Sequence, residues 1–234
     1  MDKQALRERV WDDLEASGVA RFPFPPHGRI PNFAGADDAA DRLAAAEEWA
    51  GADVVKANPD APQLPVRRAA LRAGKTLYVA VPRLRDPECF LRLDPREVED
   101  YDAATTVSGI SEYGVPVGPA DVEFVDLVVS GSVAVSPGGA RVGKGEGYSD
   151  LEFALLAEFG AVGDDTAVAT TVHGRQVRDE EIRADAHDVP LDLIVTPERT
   201  LRPERGARPA GIRWAELDEE RREEIPVLER LDGA

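Results

Sequence analysis

Residues 140–150, ARVGKGEGYSD, place three glycines at alternate positions (Gly143, Gly145, Gly147). Two cations, Arg141 and Lys144, stand among them, Glu146 sits in their midst, and Tyr148 and Asp150 close the stretch. Glycines free the backbone to turn its N–H groups toward an anion, and a helix N-terminus immediately after adds favourable partial charge. Such a loop is suited to phosphate; the competing reading is a flexible turn in which glycines relieve steric crowding. Neither common phosphate motif fits. Counting from Gly143, a dinucleotide fingerprint needs glycine at 148, where Tyr148 stands. Gly138 to Lys144 satisfies a Walker A loop until Gly145 replaces its hydroxyl residue.

The elements around the loop must position it. Asp2 can cap a helix to about Ser17, with Leu6, Val10 and Leu14 on one stripe and Gly18 as its stop. RFPFPPHGRIPNF holds four prolines and is irregular. The pattern then predicts a helix over Asp37 to Trp49, a strand DVVKA, a helix LPVRRAALRAG and a strand KTLYVAVP ended by Pro82. After an irregular stretch come a short helix near Asp94 to Tyr101 and buried β structure, VDLVVSGSVAVS, with a glycine turn or bulge. DLEFALLAEFG reads as a helix, and AVATTVH and LDLIVTP as strands. Helices alternating with apolar β-runs predict an α/β fold on a largely parallel sheet over residues 1–200. Residues 201–234 read as a Pro/Gly/Arg linker and a charged helical tail, either solvated or a dimer contact.

Composition narrows the function classes. A net charge of −17 argues against electrostatic binding of nucleic acid and reads as surface adaptation to a salt-rich cytoplasm, a halophilic trait. One cysteine, Cys89, permits no intrachain disulfide and no cysteine zinc cluster, and His27, His173 and His187 lack zinc spacing. The N-terminus lacks the apolar core of a signal peptide, and no apolar run suits a membrane span; a soluble, cytoplasmic protein is expected. Arg83 and Arg85 follow a strand where α/β folds bind ligands, and surface ion pairing is the alternative. Phe22, Phe24 and Phe33 either wall a pocket or pack the proline-rich loop, and packing is the preferred reading.

RVGKGEGYSD resembles the R-x-G-x-G-x-G-Y-Y-D segment of 5-formyltetrahydrofolate cyclo-ligases (methenyltetrahydrofolate synthetases). HGRIPNFAGA, KANPDAPQLPVR, KTLYVAVPRLR, VDLVVSGSVAVS, TVHGRQV and HDVPLDLIVTP extend the resemblance across residues 3–200, closest to the methenyltetrahydrofolate synthetase domain-containing subfamily. The resemblance implies a three-layer α/β fold like those of ribose-5-phosphate isomerase and CoA transferases. It also implies conversion of 5-formyltetrahydrofolate to 5,10-methenyltetrahydrofolate with ATP and Mg²⁺, and a small-molecule folate or related pterin as substrate. Carried over by position, Lys3 and Arg7 reach ATP phosphates from the first helix, and Gly143, Gly145 and Gly147 face phosphate. Arg141 and Lys144 are the loop's cations, Tyr148 is its first tyrosine, and Asp150 and Asp192 are the acids near Mg²⁺.

Two positions depart from the family pattern. Glu146 stands where Lys, Arg or Gly is frequent, and Ser149 replaces the second tyrosine. A carboxylate beside a triphosphate repels it unless a cation intervenes. Either Glu146 points away from phosphate and pairs with Lys144 or an arginine, or the subfamily binds a different ligand or has lost the phosphoryl transfer. A non-catalytic nucleotide- or folate-binding module is therefore the alternative function.

Overall fold

The computed structural model describes residues 2–232. Helix α1 (Lys3–Ala16) starts where the Asp2 carboxylate accepts hydrogen bonds from the amides of Gln4 and Ala5, at 3.1 and 3.2 Å. Its Leu6, Val10, Trp11 and Leu14 are buried. A small antiparallel pair, β1 (Ala20–Arg21) and β2 (Asn32–Phe33), brackets the proline-rich loop. Phe33 is buried, whereas Phe22 and Phe24 project into solvent at 78% and 58% exposure. The expected packing therefore holds for Phe33 alone.

The helix expected over Asp37 to Trp49 divides into α2 (Ala36–Ala44) and α3 (Glu47–Ala50). Next come β3 (Val54–Ala57), α4 (Leu64–Arg72) and β4 (Thr76–Ala80). Strand β5 (Phe90–Leu93) follows, then α5 (Tyr101–Ala104), α6 (Val107–Tyr113) and β6 (Val115–Val117). The short helix expected near Asp94 is a turn, in which Asp94 binds the backbone and side chain of Arg96; the helix starts only at Tyr101. The second half holds β7 (Leu127–Val129), β8 (Ala134–Val135), β9 (Arg141–Val142), α7 (Tyr148–Glu158), β10 (Ala167–Thr171), β11 (Leu193–Val195) and β12 (Thr200–Leu201). Helices α8 (Glu219–Glu224) and α9 (Pro226–Asp232) complete the order.

One eight-stranded sheet runs β12-β11-β10-β7-β3-β4-β5-β6. Its five central strands pair in parallel, and antiparallel strands finish both edges. Helices flank it in a three-layer α/β arrangement. The central strands are buried along their length, which explains their continuous Val, Leu and Ala runs. The glycine stretch hangs from a hairpin, because β8 and β9 pair antiparallel outside the main sheet. The tail is held by apolar anchors: Ile212, Ile225, Val227 and Leu228 join the main core, with Ile225 and Leu228 fully buried. No helix among the described residues is long and apolar enough to cross a membrane.

Candidate active site

In a parallel sheet the carboxyl ends of the strands leave room for a ligand. Here β3 ends into Asn58, Pro59 and Asp60, β4 into Val81, Pro82 and Arg83, and β7 into Ser130 and Gly131. These segments line a cavity of about 580 Å³, closed on its other side by α1, the glycine loop and the start of α7. Lys3, Arg7, Arg141, Gly143, Lys144, Gly145, Gly147, Tyr148 and Asp150 all border it. Nine of the ten residues singled out for the site thus meet in one place.

Asp192 is the exception, and its expected position is corrected. It precedes β11, so it lies at the amino-terminal edge of the parallel strands, opposite the cavity. There it accepts from the Val168 amide at 2.8 Å and pairs with Arg205 at 3.2 Å and with Arg208. Its environment is that of a strand brace.

Asp150 is at the cavity, but its oxygens are committed. One accepts from Arg141 Nη2 at 2.5 Å and the other from the Val189 amide at 3.0 Å. Arg141 is buried and its Nη1 donates to the Gly131 carbonyl at 2.9 Å. Burial lowers the Arg141 pKa, but the charge and hydrogen bond of Asp150, with the charges of Asp188 and Glu152, more than offset it and the net shift is upward. The pair joins the glycine loop to the cavity floor. The two acids expected to hold Mg²⁺ therefore do not fit that role: one is already ligated by protein, the other faces away. Asp185, His187 and Asp188 put ligand atoms within 4.8 Å of one another, but Lys3 already binds both carboxylates at 2.7 Å. Burial lowers the Lys3 pKa, and those two hydrogen bonds raise it by more.

Positive φ at Gly145 (117°) and Gly147 (72°) gives the loop its shape, and Gly147 leads directly into α7. Arg7 reaches across from α1 and donates through Nε to the Gly143 carbonyl at 2.7 Å. Burial is the main influence on Arg7 and pulls its pKa down, against Asp2 and Asp188. Glu146 pairs with Lys144 at 2.7 Å and with Arg83 at 3.7 Å. The first of the two readings of Glu146 is thus the observed arrangement: its charge is met by flanking cations. The Ser149 hydroxyl lies 3.2 Å from Ser130 Oγ and 3.3 Å from Asn58 Oδ1, knitting α7 to the strand ends.

Several site residues lie outside the sequence-based set. Asp60 lines the cavity, and its carboxylate accepts no hydrogen bond from any described residue. Burial pushes its pKa above the ordinary carboxylate range, opposed chiefly by Lys144. Beneath it Arg67, 1% exposed, donates to the carbonyls of Asn58 (2.6 Å), Asp60 (3.0 Å) and Thr105 (3.0 Å). Desolvation lowers the Arg67 pKa to about 10. Asn58 accepts from the Gly131 amide at 3.0 Å, while Lys56 and Glu152 form a buried ion pair. Gly131, read as a turn or bulge, is cavity floor: a Cβ there would come within 3.1 Å of Asp60 Oδ2. The available signals were an acid in Asn-Pro-Asp just past a strand, and Arg67 on the inward stripe of α4.

Known proteins share this architecture. The sequence model of the 5-formyltetrahydrofolate cyclo-ligase family matches residues 1–197. A Danio rerio protein named methenyltetrahydrofolate synthase domain-containing protein is 44% identical over 235 residues, covering 98% of this chain and 61% of the relative. Its Homo sapiens namesake is 41% identical over 241 residues, covering 99% and 61%. The chain spans about three-fifths of the length of these relatives. An NMR structure described as Aquifex aeolicus 5,10-methenyltetrahydrofolate synthetase superposes with a TM-score of 0.56 at 21% identity, covering 88% of this chain and 95% of that one. That likeness carries the fold, and the family match over residues 1–197 carries the family: the chain belongs to the 5-formyltetrahydrofolate cyclo-ligase family.

Proposed function

We propose that the protein converts 5-formyltetrahydrofolate to 5,10-methenyltetrahydrofolate with consumption of ATP. The observation that carries this reading is the convergence of Lys3, Arg7, Arg141 and Lys144 with three loop glycines on one cavity. At about 580 Å³ it lies within the range of small-molecule sites.

The chemistry explains the need for ATP. A formamide carbonyl is a poor electrophile and its oxygen a poor leaving group. The formyl oxygen attacks the γ-phosphorus, breaking the bond to the ADP oxygen. N10 then attacks the activated carbon, phosphate departs with the formyl oxygen, and the proton lost from N10 is balanced by protonated phosphate. In this reading the glycine-loop amides and the start of α7 cradle the polyphosphate. Lys144 and Arg7 supply the nearby positive charge, and Lys144 exchanges Glu146 for phosphate as the ligand enters. Arg141 acts through Asp150 and Gly131 to hold the loop against the strand ends. Asp60 is placed to receive N–H donors of the pterin ring, which would supply the partners its carboxylate lacks. Alignment of formyl oxygen and γ-phosphate is the principal catalytic contribution. Because neither Asp150 nor Asp192 suits a metal, no step is assigned to Mg²⁺.

The test is calorimetric. ATP and 5-formyltetrahydrofolate should each bind the wild-type protein, and Lys144→Ala should weaken ATP binding by about tenfold through loss of one charge-assisted contact. Unchanged ATP affinity in that variant would remove the glycine loop from the nucleotide site.

A further inference from the structure

The tail packs against residues that border the cavity. Its apolar anchors, Ile212 on one side and Ile225 and Leu228 on the other, are buried in the main core. The polar side chains between them are directed at site residues. Arg221 Nη1 donates to the Glu146 carbonyl at 2.6 Å, and its guanidinium stacks on the Tyr148 ring at 4.7 Å. Glu224 accepts from the Tyr148 hydroxyl at 3.1 Å and from Arg85 Nε at 3.0 Å, and lies 3.5 Å from Arg83. Glu216 meets His187 at 2.6 Å. All of these tail residues lie beyond position 197, where the family match stops.

The Glu146 carbonyl is a sensitive point. Its peptide joins Glu146 to Gly147, whose φ of 72° is one that L side chains rarely adopt, so sterics on the glycine side do little to fix the plane. Turning that plane would also turn the Gly147 amide, which belongs to the loop proposed to receive phosphate. Arg221 is the described side chain that holds this carbonyl.

We propose that Arg221 and Glu224 are positioning residues of the nucleotide site. Arg221 sets the 146–147 peptide and hence the loop amides. Glu224 gathers Tyr148, Arg83 and Arg85 at the rim. The ligand half of this proposal rests on the function proposed above; the loop half does not.

The experiment combines hydrogen–deuterium exchange with ATP titration, on the full chain, for wild type, Arg221→Ala, Arg221→Lys and Glu224→Gln. Arg221→Ala should speed exchange of the 143–147 amides about tenfold, with the central strands unchanged, as loss of a charge-assisted hydrogen bond allows local opening. ATP affinity should fall by a similar factor while 5-formyltetrahydrofolate affinity holds. Arg221→Lys, which keeps a donor but not the stack, should recover part of both, and Glu224→Gln should reproduce the ATP loss more weakly. A tail that serves stability alone would lower Tm and leave loop exchange and ATP affinity at wild-type values, which would overturn the proposal. If wild type binds no ATP, the nucleotide reading falls, and loop exchange alone decides whether Arg221 positions the loop.

Discussion

Asp60 carries a cost that a ligand would relieve. Burial holds its folded pKa above the unfolded value near 3.8, so the folded state binds this proton more tightly. The stability that proton contributes is complete below the unfolded value and is lost as the pH rises through the folded one. Asp60→Asn should therefore raise Tm at neutral pH, by about 2–4 °C for each kcal/mol relieved, with the gain vanishing as the pH falls to the unfolded value. The same variant should bind 5-formyltetrahydrofolate at least about tenfold more weakly, since the amide presents a donor to ring donors. Equal Tm at neutral pH and equal affinity would show that Asp60 is a solvated rim acid. Glu146 calls for the opposite substitution. Glu146→Gln releases Lys144 and Arg83, and since exposed pairs are worth at most about 1 kcal/mol, ATP binding should tighten by about fivefold or less. Weaker binding would mean that the carboxylate itself contacts the ligand. The glycine loop drew notice by its spacing, but alternating glycines suit a flexible turn as well, and it was the family resemblance that favoured phosphate. Asp60 was not, because its role depends on Arg67, Asn58 and Gly131, which are distant from the loop in sequence and meet it only when β3, α4 and β7 align.

Element by element, legibility followed burial. The parallel strands announced themselves as apolar runs because both faces are covered. Strands β5 and β6 were missed: an arginine interrupts the first, a proline and exposure the second, and only the pairing of β5 with β4 and of β6 with β5 defines them. The tail misled because its anchors are few, but Ile225 and Leu228 are fully buried. Helix α4 has a double duty, covering the sheet and delivering Arg67 beneath the cavity. Arg67→Ala would strand three carbonyls, a loss on the order of 3 kcal/mol or more by chemical denaturation, with 5-formyltetrahydrofolate affinity lost in step. Full affinity in a folded Arg67→Ala protein would uncouple this helix from the site.

At the scale of the molecule, a net charge of −17 repels itself across the surface, while at the cavity Asp185, Asp188, Asp150 and Glu146 are each met by a cation and Asp60 forms no ion pair among the described residues. Screening should relieve the former more than the buried Arg141–Asp150 pair, so Tm should rise as KCl is increased from low to molar concentration; a fall would mean that exposed ion pairs dominate. The sheet's strand ends, the glycine loop and the first helix enclose one cavity, and there we propose that a polyphosphate meets a formylated folate. The most direct measurement is optical: 5-formyltetrahydrofolate, ATP and Mg²⁺ are mixed with the wild-type protein at low and high salt, and methenyltetrahydrofolate absorbance is followed alongside ADP release. Both products should appear in equal amounts and vanish without ATP; neither product at any salt concentration would contradict the proposed conversion.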